Sequence, residues 1–453
     1  MEKEEKSVVE TITNFIRGSV SLKLISVFIL MLMLMIPMQF VHSLISERQG
    51  LRQSAVKEVS DKWSGSQDIY GPILTLPYNR SYTEDGKVKV LREEMHILPS
   101  MLRVKGNITP ETLRRGIYEV VVYNSTIAVS GSFEGAGRYA EEQGGDKILW
   151  NEAFITVHIS DLRGIKERVT MMLNDNKFQA DPGTQIPGLV ASGITVKNIF
   201  TGVQNLNELS FSFDLVLQGS SHLGFAPLGK ETHVELSSSW GDPSFSGAFL
   251  PDDREIRDNG FTASYKILEL NRNYPQYWIG EANSPGVQKS IFGVELLLPV
   301  DDYLMTTRSA KYALLAIVLT FLTFFLTEIF SSKRVHPFQY LIIGLALVLY
   351  YTLLISISEH TNFTTAYSIA SIAIIGMIGL YAKAILKNPK QTGILVLVLA
   401  LTYTFVYITL QLQDYALLIG SIGLTAILGF TMYITRNVNW YNLGAGKNTV
   451  SEK

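Results

Sequence analysis

Leu24–Ile45 reads LISVFILMLMLMIPMQFVHSLI, a stretch with no carboxylate, lysine or arginine. About twenty such residues, at roughly 1.5 Å each, cross a hydrocarbon core of about 30 Å. Length alone makes this stretch a span. A secretory signal peptide would have a shorter apolar region, about 7–15 residues, and a small-residue cleavage site. Nothing like A-x-A follows Ile45, and SERQGLRQ reads as a helix continuing into water. The segment is therefore expected to be an uncleaved signal anchor.

Five more apolar runs follow a long polar stretch: Tyr312–Phe330, Phe338–Ile357, Thr365–Tyr381, Gly393–Leu410 and Tyr415–Ile434. Six spans place both termini on one side of the membrane. Lys3, Lys6, Arg17 and Lys23 precede the first span, Lys333 and Arg334 follow the second, and Lys383, Lys387 and Lys390 separate the fourth from the fifth. Arg436 and Lys447 follow the sixth, whereas the short loops SEHTNFT and QLQDY hold no Lys or Arg. Lysine and arginine collect on the cytoplasmic side, so tails and basic loops are assigned there and the long polar stretch outside.

The expected fold class is thus an integral membrane α-helical protein of six spans with a large external all-β, β-sandwich-like domain. Residues 1–23 form a cytoplasmic tail with an interfacial helix carried by Val8, Ile12, Phe15 and Ile16 on one face. Residues 24–45 are the anchor, 46–311 the periplasmic β-rich domain, 312–434 a five-helix bundle and 435–453 a second cytoplasmic tail. In the fourth span Ala366, Ala370, Ala373, Gly376 and Gly379 recur about every fourth residue, and in the sixth Ala416, Gly420, Ser421, Thr425 and Gly429 do the same. Small residues let helix backbones approach, so these two spans are expected inside the bundle and the Leu-, Val- and Phe-rich second and fifth against lipid. Trp440 and Tyr441 suit the headgroup layer.

Composition agrees with membrane residence and excludes several functions. The 453 residues are 47% hydrophobic, and the mean hydropathy is +0.18, above the usual soluble range. A net charge of −2, from 39 basic and 41 acidic residues, leaves no surplus to follow a phosphate backbone, so nucleic acid is not an expected partner. The absence of cysteine removes disulfides, iron–sulfur ligation, thiol catalysis and cysteine-zinc sites together.

Strand signals dominate the external stretch. Ile117–Phe133, Ala153–Ser160, Leu209–Ser220 and His233–Trp240 alternate or run with β-branched and aromatic residues between Gly, Pro, Asn and Asp. They predict sandwich-like packing, in one core or two. Glu134–Lys147, polar and Gly-rich, is expected to be a surface loop.

Catalytic and cofactor motifs are sparse. Gly224–Glu231, GFAPLGKE, has the Gly-x4-Gly-Lys of a phosphate-binding loop, but Glu231 stands where Ser or Thr should hold magnesium; a turn with an exposed lysine is the expectation. The histidines at 42, 96, 158, 222, 233, 336 and 360 never show a two-ligand metal spacing. Pro251–Glu255, PDDRE, is expected to be an exposed acidic turn, and GxSxG is absent. No cofactor is expected. In the spans Glu328 is the sole acid within a run, expected to reach the interface beside Lys333 or Arg334. Pro337 suits a first helical turn, with His336 just ahead of it. Glu359 and His360 close the third span, where they are expected to serve as a structural pair or to contact a partner domain.

Ser332–Tyr367, SKRVHPFQYLIIGLALVLYYTLLISISEHTNFTTAY, resembles the CreD family of bacterial inner-membrane proteins. Tyr70–Tyr78 (YGPILTLPY), Pro243–Pro251 (PSFSGAFLP), Tyr303–Ile317 (YLMTTRSAKYALLAI) and Thr435–Tyr441 (TRNVNWY) are similar to that family's blocks, in its order. The resemblance implies a protein of the inner membrane tied to cell-envelope integrity and envelope stress, in a family for which no catalytic activity or cofactor is established. It identifies no catalytic residue. Three functions stay open: non-enzymatic binding of an envelope protein, lipid or glycan by the external domain, a transporter or channel for a lipid or envelope precursor, and an envelope hydrolase or transferase. Scarce charge in the spans weighs against ion-coupled transport.

Charge placement predicts that reporters fused after Arg48 and near Asn362 read outside, and those near Asn388 and Lys453 inside. A cytoplasmic signal at Asn362 would overturn the six-span arrangement.

Overall fold

The computed structural model describes residues 20–85, 87–135, 137–138, 148–200, 208–296, 302–331, 335–412 and 415–436. The chain divides into two compact units, a helical one of residues 1–51 with 300–453 and a β unit of 52–299. The expected interfacial helix, most of the Glu134–Lys147 loop, Lys333, Arg334, Trp440 and Tyr441 lie outside the described residues.

The first helix, α1, runs Val20–Trp63, so the apolar span does continue into a polar helical stretch. Ser284–Lys289 forms the short α2 of the β unit. The remaining helices are α3 (Asp302–Lys311), α4 (Ala313–Ser331), α5 (Pro337–Ser358), α6 (Phe363–Leu386), α7 (Pro389–Gln411) and α8 (Ala416–Thr435). Five helices are long and apolar enough to cross a membrane, and a sixth span is completed by α3 and α4, which meet at a bend of 42°.

Burial corrects the expected placing of the spans. Helix α4 was expected against lipid, yet Ala316, Ile317, Thr320, Phe321 and Phe324 are buried. Helix α7 buries one face only, through Leu395, Leu399, Tyr403 and Val406, and exposes Leu397 and Leu401. In α6, Ala366, Ala370 and Gly379 are buried as expected, but Ala373 and Gly376 are exposed. The expectation for α8 fails: none of the eighteen residues Leu418–Thr435 is buried, and a Cβ on Gly420 or Gly429 would have open space around it. Only Gly423 is closely covered, by the Phe405 ring of α7. Small residues permit close approach without compelling it, and Leu or Phe packs as well against a helix as against a lipid tail.

In chain order the strands are β1 (Gln67–Glu84), β2 (Lys87–Ile97), β3 (Met101–Arg115), β4 (Tyr118–Glu134), β5 (Phe154–Ile159), β6 (Thr170–Leu173), β7 (Asn176–Gln179), β8 (Asp181–Pro182), β9 (Gly193–Lys197), β10 (Glu208–Ser220), β11 (His222–Phe225), β12 (Glu231–Ser238), β13 (Pro243–Gly247), β14 (Asp253–Arg257), β15 (Gly260–Leu268), β16 (Tyr277–Ile279) and β17 (Phe292–Leu296). One sheet has the order β13-β17-β11-β1-β5-β9-β8, with β2 beside β1 and β16 beside β2; the other runs β14-β15-β12-β3-β4-β10-β6-β7. All four segments with strong strand signals are strands here.

Alternation places the inner faces against each other. In β3 and β10 every second residue is buried, Leu102, Val104 and Ile108 in one and Leu209, Phe211, Phe213, Leu215 and Leu217 in the other. Tyr265 of the second sheet meets Phe292 of the first with ring centroids 4.6 Å apart, and Phe245 meets Phe261 at 5.6 Å. One contiguous core joins both sheets, which settles the choice between one core and two. The block YGPILTLPY supplies the middle of β1, buried on both faces from Tyr70 to Tyr78. Its register slips between Tyr70 and Ile73, where Gly71 has φ +128° and a Cβ would stand 2.9 Å from the Thr156 carbonyl oxygen. Glycine is what that close approach requires.

Gln67 and His96 are polar groups of this core with hydrogen-bond partners. Gln67, fully buried, donates from Nε2 to Ser64 Oγ (2.9 Å), Asp161 O (2.9 Å) and Gln218 O (3.0 Å) and accepts from Asp161 N (3.1 Å). His96, 1% exposed, bonds Thr75 Oγ1 through Nδ1 at 3.0 Å, and burial holds its pKa down at about 4. An unfolded histidine titrates near 6.5, so the unfolded chain takes up the proton first. The stability that neutral His96 contributes is complete above pH 6.5 and is lost as pH falls towards 4, by about 3 kcal/mol in all. Hydrogen exchange of the β1–β2 amides should show this loss between pH 7 and pH 4.5, and His96→Phe should remove most of the pH dependence. An unchanged slope in the variant would assign the acid sensitivity to other groups.

Candidate functional site

Helix α1 buries Val27, Leu34, Met38, Val41 and Ile45, spaced by three, four or seven residues and therefore on one stripe. Lys23 and Arg48 extend the same stripe at its two ends, about 37 Å apart along the axis. Gly344 of α5 lets Leu34 come close, since a Cβ there would run into the Leu34 side chain and stand 3.0 Å from Phe321.

Each of these cations meets a carboxylate of the bundle. Lys23 Nζ pairs with Glu328, which is 11% exposed, and donates to the Val335 carbonyl at 2.9 Å. Tyr340 OH donates to the other Glu328 oxygen at 3.4 Å, and its ring centroid lies 6.0 Å from Lys23 Nζ. The partner found for Glu328 is thus on the first helix, a residue 305 positions away, where a snorkelling contact beside Lys333 or Arg334 was expected. At the other end Glu359 accepts from Tyr303 OH at 3.0 Å and lies 3.7 Å from Arg48 Nε. Gln49 reaches Thr307 Oγ1 nearby, at 3.4 Å.

The other residues singled out from the sequence have local roles. Pro337 opens α5, and His336 caps it: Nδ1 accepts from Phe338 N at 3.2 Å while His336 N donates to Gln339 Oε1 at 3.0 Å. Glu359 and His360 do not act as a pair. Glu359 is 10% exposed and bonded within the helical unit, whereas His360 is exposed at the end of α5.

Sequence patterns did not reveal a hydroxyl cluster between α3, α5, α6 and α7. The Tyr350 ring lies 4.6 Å from Tyr403, 4.8 Å from Tyr351 and 5.8 Å from Tyr367. Tyr367 OH donates to the Tyr403 carbonyl at 2.7 Å. The hydroxyls of Ser309, Tyr350, Ser371 and Tyr403 are buried together, with Tyr350 facing Ser309, Ser371 and Tyr367. Span threonines, by contrast, return their hydroxyls to their own helix, as Thr320 does to Ala316 O at 2.7 Å. A tyrosine every few residues in α5–α7 was the available signal.

In the β unit the phosphate-loop lookalike is two strands joined by a turn. Gly224 belongs to β11, Glu231 begins β12, and Glu231 pairs with Lys266 (3.0 Å) and His233 (2.7 Å). No helix begins there to receive a phosphate. PDDRE enters the edge strand β14, with Asp252 accepting from Lys266 N at 2.6 Å. The histidine pattern hid one grouping: His222 Nε2 lies 3.1 Å from Asp68, and His158 stacks on Tyr70 at 4.1 Å with Nε2 3.3 Å from Ser160 Oγ. Burial lowers the His158 pKa, but no carboxylate bonds its Nδ1, so the acid of a serine-hydrolase triad is missing. Among the described residues no three His, Asp or Glu side chains are placed to share a metal.

A trough of about 410 Å³ lies on the eight-stranded sheet of this unit. Strand register explains it. Met101, Ser132 and Ser210 form one row across β3, β4 and β10, and Arg103, Ser130, Ser212 and Met172 the next across β3, β4, β10 and β6. Small side chains on the two central strands between larger ones on the flanks leave a channel. Asn174, at the β6–β7 turn, fixes one wall by accepting from Ser210 N (2.9 Å) and Ser210 Oγ (3.0 Å).

These features define a multi-pass helical membrane protein with a two-sheet β unit inserted after its first helix. The family model described as Inner membrane protein CreD matches residues 19–441, and the chain belongs to that family. Inner membrane protein CreD of Escherichia coli (strain K12) is 33% identical over 436 residues, which cover 95% of this chain and 96% of that protein.

The Lys23–Glu328 pair gives a direct test. Removing one member of a largely buried pair strands the other, at a cost of about 3–5 kcal/mol, whereas replacing both with apolar residues is nearly neutral. Glu328→Leu alone should lower the melting temperature of the detergent-solubilised protein clearly, and Lys23→Leu with Glu328→Leu should recover most of it. Additive losses in the double variant would mean that the two side chains act independently.

Proposed function

We propose that this chain is a non-enzymatic inner-membrane protein that supports cell-envelope integrity by binding an envelope component through its β unit, with both termini in the cytoplasm and the β unit in the periplasm. The observation that carries this reading is the trough: a formed, water-accessible concavity of about 410 Å³, within the range of ligand sites. Its hydroxyls belong to no catalytic arrangement. The positive charges flanking the spans support the orientation, and the family supports residence in the inner membrane.

A second reading, passage of a lipid or envelope precursor through the helices, is favoured by the hydroxyl cluster around Tyr350. Hydroxyls gathered in an apolar surrounding both donate and accept, and so offer a polar guest hydrogen-bond partners.

A photoreactive amino acid placed at Ser212 of the full-length protein in cells should capture an envelope component. The same group at Glu111, exposed on β3, should capture far less, and one at Tyr350 should capture nothing. Equal capture at Ser212 and Glu111 would count against a site in the trough, and capture at Tyr350 alone would favour passage through the bundle.

A further inference from the structure

The trough also has a chemical character, and the geometry points to a carboxylate-bearing oligosaccharide as its ligand. This inference rests on the binding role given above to the β unit.

Charge comes first. The lining residues are Met101, Arg103, Ser130–Ser132, Met172, Asn174 and Ser210–Ser212, and Arg103 is the one that ionises. Arg103 has no ion pair among the described residues, while Lys105, one row beyond, lies 3.9 Å from Glu235. Glu134 stands past one end of the trough, where Ser132 Oγ reaches it at 3.4 Å, and Asp214 stands one row past the other, opposite Ala128. Glu231, beside Met101 on β12, is held by Lys266 and His233, and Lys177 stands beside Met172 at the far wall, so Arg103 is the cation of the lining that an anionic group would meet. A single guanidinium fork matches a carboxylate. A phosphate would call for several cations converging on one point, a helix N-terminus or a nest of backbone N–H groups, whereas the cation nearest to Arg103 on β3, Lys105, faces Glu235 in the next row.

Hydrogen bonding comes second. The four serines form a rectangle about 4.8 Å across the strands and roughly 6.8 Å along them. The hydroxyls of Ser130 and Ser212 have no side-chain hydrogen bond among the described residues, and a hydroxyl both donates and accepts. Asn174 has its carbonyl oxygen occupied by Ser210, so its amide N–H groups remain to donate. A ring of hydroxyls in fixed positions suits this array, and the thioether side chains of Met101 and Met172 suit its C–H faces. A protein partner is disfavoured because the lining shows no aromatic anchor; Phe211 is 3% exposed and forms the floor. That floor lies close under Gly131, where a Cβ would come within 2.6 Å of the Phe211 ring.

The test uses the full-length protein in nanodiscs, with tetragalacturonate as the carboxylated probe and maltotetraose as the neutral one, measured by calorimetry. Tetragalacturonate should bind saturably and at least tenfold more tightly than maltotetraose. Arg103→Gln should weaken it at least tenfold, Ser212→Phe should abolish it by filling the trough, and Lys105→Gln should leave it within twofold. Arg103 and Lys105 are both exposed, so those two variants keep the test sound if Ser212→Phe fails to fold. No saturable binding, equal affinity for the two probes, or equal loss in Arg103→Gln and Lys105→Gln would each overturn the inference. Capture of envelope material through Ser212 in cells without tetragalacturonate binding would remove the saccharide assignment alone. Failure of both would remove the binding role as well.

Discussion

A hydrocarbon layer supplies no hydrogen-bond partner, so every N–H, carbonyl and charged group that enters it must bring its own. The helical unit follows from that constraint. Its backbone is helix, broken where α3 bends into α4 and at short turns. Its span threonines bond the carbonyl four residues back. Its two buried carboxylates, Glu328 and Glu359, each have a cation from α1 and a tyrosine hydroxyl. Around Tyr350 the hydroxyls of Ser309, Ser371 and Tyr403 gather in the interior of the helical unit. The β unit works under the ordinary aqueous rule, in which the interior must be matched and the outer face may stay unpartnered. The serines of the trough are free to present hydroxyls for that reason.

The sequence was informative wherever a signal is local. Apolar run length gives the spans, alternation gives β3, β4, β10 and β12, and Pro337 marks the start of α5. Burial in the membrane was not legible, because leucine and phenylalanine have the same affinity for lipid tails and for neighbouring helices; α4 was misplaced on that account, and α8 because its glycines permit a contact that it does not make. The Glu328 partner was hidden by distance along the chain. The trough was hidden for a related reason. Ser130 and Ser132 lie about eighty positions from Ser210 and Ser212, and only the β4–β10 register brings them together. The serines at i and i+2 on both strands were visible, but their meaning depends on the pairing.

Membership in the CreD family accounts for the architecture as a whole, since the match extends from the start of α1 to the end of the last span. The blocks that carry the resemblance prove to be structural. YGPILTLPY is the doubly buried centre of one sheet, and the block around His336 and Pro337 is a helix cap followed by the span that holds Tyr340 and Tyr350. None of them lines the trough. The described residues of these blocks belong to the scaffold of this chain, and the recognition proposed for the β unit lies on a different surface.

The separation of Lys23 from Glu328 by 305 residues has a consequence for synthesis. The ribosome releases α1 long before the acids that match it, and the entire β unit is made in the interval. Domains generally fold as they emerge, so the β unit can reach its final form while α1 has neither of its counter-charges. A chain cut anywhere before Glu328 would leave Lys23 and Arg48 without their carboxylates, at opposite ends of an otherwise apolar stripe. Synthesis as far as Glu359 is thus what lets both charges of α1 be matched within the chain.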